Sequence, residues 1–225
     1  MRNISFVSGN FYHVYNRGVD KRSIFMDQED LLRFLKIMKI FNSIQNIGSV
    51  YENSFKEQKD SSRKITLKQQ SKPLVNFTAF CLNQNHFHFI LEPLVDNGIQ
   101  KFMHRISTGY TNYFNEKYKR GGSLFQGPYK AIHIDTNEYL LHLSAYVNLN
   151  DKVHKEKNKE WMKKFTVSSF GEYTNKNINK EFCCKNIILR QFSNKSEYRK
   201  FAFSSMGDIL ERKELKKELE ILLLE

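Results

Sequence analysis

Cysteine is scarce in this chain: Cys81, Cys183 and Cys184 are the only three in 225 residues. An odd, sparse set excludes a disulfide framework, and adjacent cysteines without any C-x-x-C exclude an ordinary zinc knuckle. Such usage suits a reducing compartment, so a cytoplasmic protein is expected. The opening Met1-Arg2-Asn3-Ile4-Ser5 lacks the apolar run of a secretion signal. Nor does any stretch approach the roughly 20 apolar residues that span a bilayer. No internal repeat is visible, which excludes a repeat array. Acidic residues are in the minority, 24 against 36 lysines and arginines, for a net charge of +12. That imbalance favours a polyanionic partner, nucleic acid first and an anionic membrane surface second.

With 40% hydrophobic and 14% aromatic residues, the chain has enough apolar material for a real core. Phe11-Tyr12-His13-Val14-Tyr15-Asn16 alternates as a strand, and a basic turn, Arg17 to Arg22, follows it. Asp27 can cap a helix from about Gln28 to Ile44, with Leu31, Phe34, Leu35, Met38 and Phe41 at helical spacing. Residues 46–73 are polar and read as a solvated excursion, with a short strand around Lys64-Ile65-Thr66-Leu67. Leu74–Leu82 and the stretch from His86 to Leu91 form a hairpin across a tight Asn-Gln-Asn turn. A second helix runs from Asn97-Gly98 to about Tyr118, and Ser123–Ile134 then reads as loop and strand. A third helix, capped by Thr136 or Asn137, covers Glu138–Asn150.

The order β-α-β-β-α-β-α predicts an α+β fold: a ferredoxin-like split βαβ with an antiparallel sheet and helices on one face. The expected division is a domain over residues 1–174, with residues 46–73 inserted, and a helical C-terminal extension over 175–225. Trp161, Phe165 and Phe170–Tyr173 are expected to pack back on the domain.

In a strand, residues i and i+2 share a face. His86 and His88 therefore project side by side, while Phe87, Phe89 and Leu91 point into a core. Two imidazoles on one rigid face make half a metal site. Tyr146 and Asn150, four apart, share a face of the third helix and supply a phenol and an amide oxygen. Two imidazoles and one amide oxygen leave positions open on a divalent metal for a phosphate. A tyrosine attacking that phosphate gives a covalent intermediate from which the strand can be rejoined, which a hydrolase does not need. Each element alone has a bland reading: H-x-H recurs by chance, a helix tyrosine packs, a helix asparagine faces solvent. Tyr110 and Tyr113, on the second helix, are rival nucleophiles. His142, one turn before Tyr146, can touch the phenol, a phosphate or only its neighbours. His13 and His133 read as strand residues rather than ligands.

Four blocks give the chain a resemblance to the single-tyrosine HUH transposases, and within them to the REP-associated tyrosine transposases. They are Tyr12–Gly18, Asn85–Leu91, Gly122–Lys130 and Tyr146–Asn150. The resemblance implies a metal-dependent DNA strand transferase acting on single-stranded or hairpin DNA. By the family pattern His86, His88 and Asn150 are metal ligands and Tyr146 is the nucleophile, with Mg2+ or Mn2+ as the ion and no small-molecule cofactor. The sequence departs from the pattern twice: Gln84 and Asp151 stand where the family usually has proline. The first can loosen the hairpin turn and the second can let the helix run on. A DNA-binding relative that has lost turnover is the alternative reading, and a metal-dependent hydrolase a third.

DNA contacts are expected from Arg17, Lys21, Arg22, Arg105, Lys117, Lys119, Arg120 and Lys130, with Phe125 and Tyr129 stacking unpaired bases. The sequence leaves monomer and homodimer both open.

Overall fold

The structure, a computed structural model, describes residues 4–45, 72–153, 166–175 and 182–222, the side chains of 153 and 212–222 excepted. The aromatic alternation of the opening segment becomes β1 (Phe11–Arg17), and the apolar hairpin becomes β2 (Val75–Asn83) and β3 (His86–Pro93). With β4 (Lys130–Ile134) and a short β5 (Val167–Ser168), they form one antiparallel sheet in the order β4-β1-β3-β2-β5. β1 thus lies directly beside the histidine strand. The possible strand at residues 64–67, Trp161 and Phe165 lie outside the described residues.

Three long helices follow the expected order: α1 (Gln28–Ile40), α2 (Gly98–Lys117) and α3 (Asn137–Asn148). The cap of α1 is as expected, with the Asp27 carboxylate accepting the Asp30 N–H at 2.9 Å. The helix stops at Ile40 rather than Ile44 because Asn42 is used elsewhere. Its amide oxygen accepts from the N–H groups of Leu74 and Val75, both at 2.9 Å, and its amide nitrogen donates to Val75 at 2.8 Å. Thr136 caps α3 by accepting the Tyr139 N–H at 3.1 Å. After a break at Leu149 the chain makes a single turn, α4 (Asn150–Val153), so Asp151 does not extend α3 unbroken.

The α+β sheet is as the sequence predicts, but its helices lie on both faces rather than one. Phe87, Phe89 and Leu91 share a core with α1 and α2, where Phe34 and Tyr110 pack edge to face at 4.8 Å. On the opposite face Ala79, Cys81 and Ile90 pack with Leu140, Leu143 and Val147 of α3. That second core also takes Tyr173 from α5 (Phe170–Thr174), Ile188 from α6 (Asn186–Leu189), and Tyr198, Ala202 and Met206 from α7 (Lys195–Leu222). A sheet covered on both sides needs apolar residues at successive positions, not alternate ones. The run Phe77-Thr78-Ala79-Phe80-Cys81-Leu82 has that character, and all six residues are buried.

A buried polar network fixes α3 against its neighbours. Asn148 donates to the Tyr198 hydroxyl at 2.8 Å and accepts from Ser169 at 2.6 Å. Ser169 also accepts the Phe80 N–H of β2 at 2.9 Å, and the Tyr198 hydroxyl contacts Ser144 at 3.2 Å. One network thereby joins α3, α7 and the sheet two residues from Tyr146. Deleting its centre leaves buried partners unpaired, which costs more than the bond itself. Asn148→Ala is expected to lower stability by about 2–4 kcal/mol in urea unfolding, a cost that a loss below about 1 kcal/mol would contradict.

Candidate functional site

Strand pairing assembles the site. The two-residue turn Gln84–Asn85 sets Asn83 opposite His86. It needs no proline at Gln84, because the Gln84 carbonyl accepts from the N–H groups of Ile24 at 2.7 Å and Phe25 at 3.0 Å. The Asn85 carbonyl accepts from Gly18 at 2.8 Å. A Cβ on Gly18 would meet the Arg22 carbonyl at 2.2 Å, so this close docking requires glycine there.

His86 is held from two sides. Its Nδ1 donates to the Asn85 side-chain oxygen at 2.6 Å. That leaves Nε2 as the lone-pair nitrogen, and it lies 3.1 Å from the Asn150 amide oxygen. Asn83 draws the two together: its amide nitrogen is 2.8 Å from the Asn150 oxygen and 3.0 Å from His86 Nε2. The Asn83 amide thus bridges two acceptors that stand 3.1 Å apart. Adjacent ligands of an octahedral ion bonded at about 2.1 Å stand about 3.0 Å apart, so the pair fits a divalent metal. Among the described residues no group of three His, Cys, Asp or Glu side chains is placed to hold one. The amide oxygen of Asn150 could serve as an oxygen donor beside the imidazoles of His86 and His88.

His88 lies on the same face, its ring 5.2 Å from that of His86. Its Nδ1 is 2.9 Å from Nε2 of His13, and the two rings stack at 5.1 Å. Tyr15 stacks on His88 from β1 at 5.6 Å. Tyr146 comes from α3, above this face, with its ring edge-on to His88 at 5.6 Å and to His13 at 6.5 Å. Burial raises the Tyr146 pKa, and a hydrogen bond from the Asn150 side chain opposes that rise.

The rival tyrosines lie on the other side of the sheet. Tyr110 is fully buried and donates to the Ile24 carbonyl at 2.6 Å, while Tyr113 donates to Asp30 at 3.0 Å. His142 turns towards α7, 2.7 Å from the Ser205 hydroxyl.

The expected DNA contacts divide. Arg17 is exposed and paired in register with His86, and Lys130 is exposed and paired with Tyr15. Both therefore belong to the histidine face. The guanidinium of Arg17 donates to the Gln126 side chain, which ties the loop before β4 to β1. Lys21 and Arg22 are exposed beside the hairpin turn, with the Lys21 carbonyl accepting from Asn85 at 3.1 Å and Arg22 3.6 Å from Asp20. Five others are engaged elsewhere. Arg105 donates to the carbonyls of Phe41 and Ser43, and Arg120 to Asn115 and Ser123. Phe125, expected to stack on bases, is buried against Phe87. Lys117 bonds Asp27, Glu29 and Asp30, three acids that hold its charge in place. Tyr129 packs half-buried against the first core.

Sequence reasoning missed His13, Tyr15 and Asn83. The signal for the first two was available: a split βαβ order sets β1 next to β3, and alternation then puts His13, Tyr15 and Arg17 on the histidine face. Asn83 follows from a two-residue turn, which makes it the cross-strand partner of His86.

Burial lowers the His13 pKa from 6.5 to about 4. The unfolded chain then binds the proton that the folded chain refuses, so stability is lost as pH falls from 6.5 towards 4. Relative to His13→Leu, the wild-type chain is expected to lose up to about 3 kcal/mol over that range in urea unfolding. Parallel stability curves for the two proteins would refute this.

Residues 50–150 match the family described as "Transposase IS200 like". No curated protein matches the chain. A solved structure described as a REP-associated tyrosine transposase bound to a REP hairpin aligns at 13% identity with a TM-score of 0.48, covering 80% of this chain and 87% of that one. The matched stretch contains His86, His88, Tyr146 and Asn150, so the part of the chain that carries the candidate site is similar to the IS200-like transposases.

Proposed function

We propose that the protein cleaves and rejoins DNA strands through a covalent tyrosine intermediate, with single-stranded or hairpin DNA as substrate. The similarity of residues 50–150 to the IS200-like transposases supports DNA processing as the activity class. The observation that carries the finer reading is the meeting, on one sheet face, of the Tyr146 ring at 5.6 Å from His88 with the acceptor pair of His86 and Asn150. His86, His88 and Asn150 are the residues that would hold Mg2+ or Mn2+, a mixed nitrogen and oxygen set suited to either ion. Bound there, the ion supplies charge stabilisation at the phosphate.

The remaining steps belong to the chain. Tyr146 is a neutral phenol before it reacts, and burial raises its pKa further above the ordinary phenol value. On attack its phenolic oxygen loses a proton and bonds to phosphorus. One P–O ester bond breaks, and the departing DNA oxygen takes a proton to become a hydroxyl. A DNA hydroxyl attacking the same phosphorus reverses the step, so phosphodiester bonds are conserved. Arg17 and Lys130, flanking the face, bind the backbone, and the stacked Tyr15 forms a wall against which a base can lie.

Incubated with hairpin DNA and Mn2+, the wild-type chain is expected to form an adduct that survives denaturation. Tyr146→Phe is expected to form none, and an adduct persisting in that variant would remove Tyr146 from the role. His86→Ala is expected to slow the adduct on the order of 10³-fold while leaving hairpin binding intact, and an unchanged rate would remove the metal role. Adduct missing from the wild type, with binding retained, would favour a silent DNA-binding relative. Arg17→Ala and Lys130→Ala are each expected to reduce the salt dependence of hairpin binding by a slope of about 1. Unchanged slopes would place the backbone elsewhere.

A further inference from the structure

The two histidines are held differently. His86 spends its Nδ1–H on Asn85, from its own hairpin turn. The corresponding nitrogen of His88 meets His13 Nε2 at 2.9 Å, from the neighbouring strand. We propose that His13 is the positioning residue for His88, accepting its Nδ1–H and thereby keeping the lone pair on Nε2, the tautomer that a metal ligand would need. The proposal rests on the reading that His88 is a ligand.

The geometry is set by the sheet. His13 is paired in register with Ile90 and Tyr15 with His88, so His13 and His88 are diagonal neighbours on one face. Both are nearly buried, at 6% and 9% exposure, which removes water as a ready substitute partner. Tyr15 packs on both rings, 4.9 Å from His13 and 5.6 Å from His88, and restrains their tilt. A proton lies between the two nitrogens in either direction. With the proton on His88 Nδ1, the lone pair of His88 sits on Nε2. With the proton on His13 Nε2, the neutral His88 carries its own proton on Nε2 and offers no ligand. His13 is thus a partner to one ligand rather than a third ligand: its Nε2 is occupied by His88, and no three-group metal cluster occurs among the described residues. Partners of this kind orient a ligating imidazole and raise its basicity, and losing one typically costs 10–100-fold in metal affinity.

The test compares Mn2+ affinity of the full-length wild type, His13→Leu and His13→Gln, alongside metal-free hairpin binding. Glutamine retains an acceptor oxygen near the position of Nε2, and leucine does not. His13→Leu is expected to bind Mn2+ about 10–100-fold more weakly, with His13→Gln close to wild type and hairpin binding equal in all three. Equal Mn2+ affinity in wild type and His13→Leu, or an equal loss in both variants, overturns the assignment. A second readout does not depend on how the variants fold. In wild-type chain labelled with 15N-histidine and loaded with Zn2+, His88 is expected to show a protonated Nδ1, and a bare Nδ1 overturns the assignment too. A wild type that binds no Mn2+ removable by His86→Ala refutes the metal reading itself, a different result from either.

Discussion

The site depends on the register of β1 against β3. That pairing places Tyr15 opposite His88 and Arg17 opposite His86. A slip of one residue would send every side chain of β1 to the opposite face and exchange His13 and Tyr15 for Val14 and Asn16. The register is anchored beyond the strands: Gly18 donates to Asn85, Val19 to Leu124, and Gln126 to Arg17, at 2.8–3.0 Å. Asn16 donates to the Gly127 carbonyl at 3.1 Å. The opening strand, the histidine turn and the Leu124–Gly127 loop are thus one stitched unit. Three of the blocks that carry the family resemblance meet there, and the fourth descends on them from α3.

Burial on both sides of the sheet divides the labour. The face with α1 and α2 is a stability layer of aromatic contacts. The other face begins as core around Ala79, Cys81 and Ile90 and becomes polar towards His86. There buried polar groups bond one another: Asn83 with His86 and Asn150, His13 with His88, Asn148 with Tyr198 and Ser169. Polar groups held this way lose little freedom when substrate arrives, which is the condition for a preorganised site. α7 belongs to this arrangement, since its Tyr198 braces the helix that carries Tyr146.

Much of this was legible in the sequence, because the signals were local. Period-two alternation gave β1 and the histidine strand, i to i+4 spacing gave the Tyr146–Asn150 face, and Asp27 and Thr136 marked helix starts. What was not legible depended on packing. The second layer of helices required knowing that α7 folds back, and its densely charged sequence gave little periodicity to read. Phe125 and Arg105 look like ligand-facing residues by type, yet one fills the core and the other caps α1. His13 was undervalued because a single histidine in a strand carries no spacing signal of its own. Only its diagonal contact across two strands gives it meaning.

The central claim is that Tyr146 reacts on a face where two imidazoles and an amide oxygen converge. Tyr15 is the other phenol stacked on that face, so the two must be told apart. The most direct measurement is tandem mass spectrometry of the denatured protein–DNA adduct after proteolysis, locating the residue that carries the nucleotide. The account predicts the nucleotide on Tyr146. A nucleotide on Tyr15, or on any other residue, would contradict it.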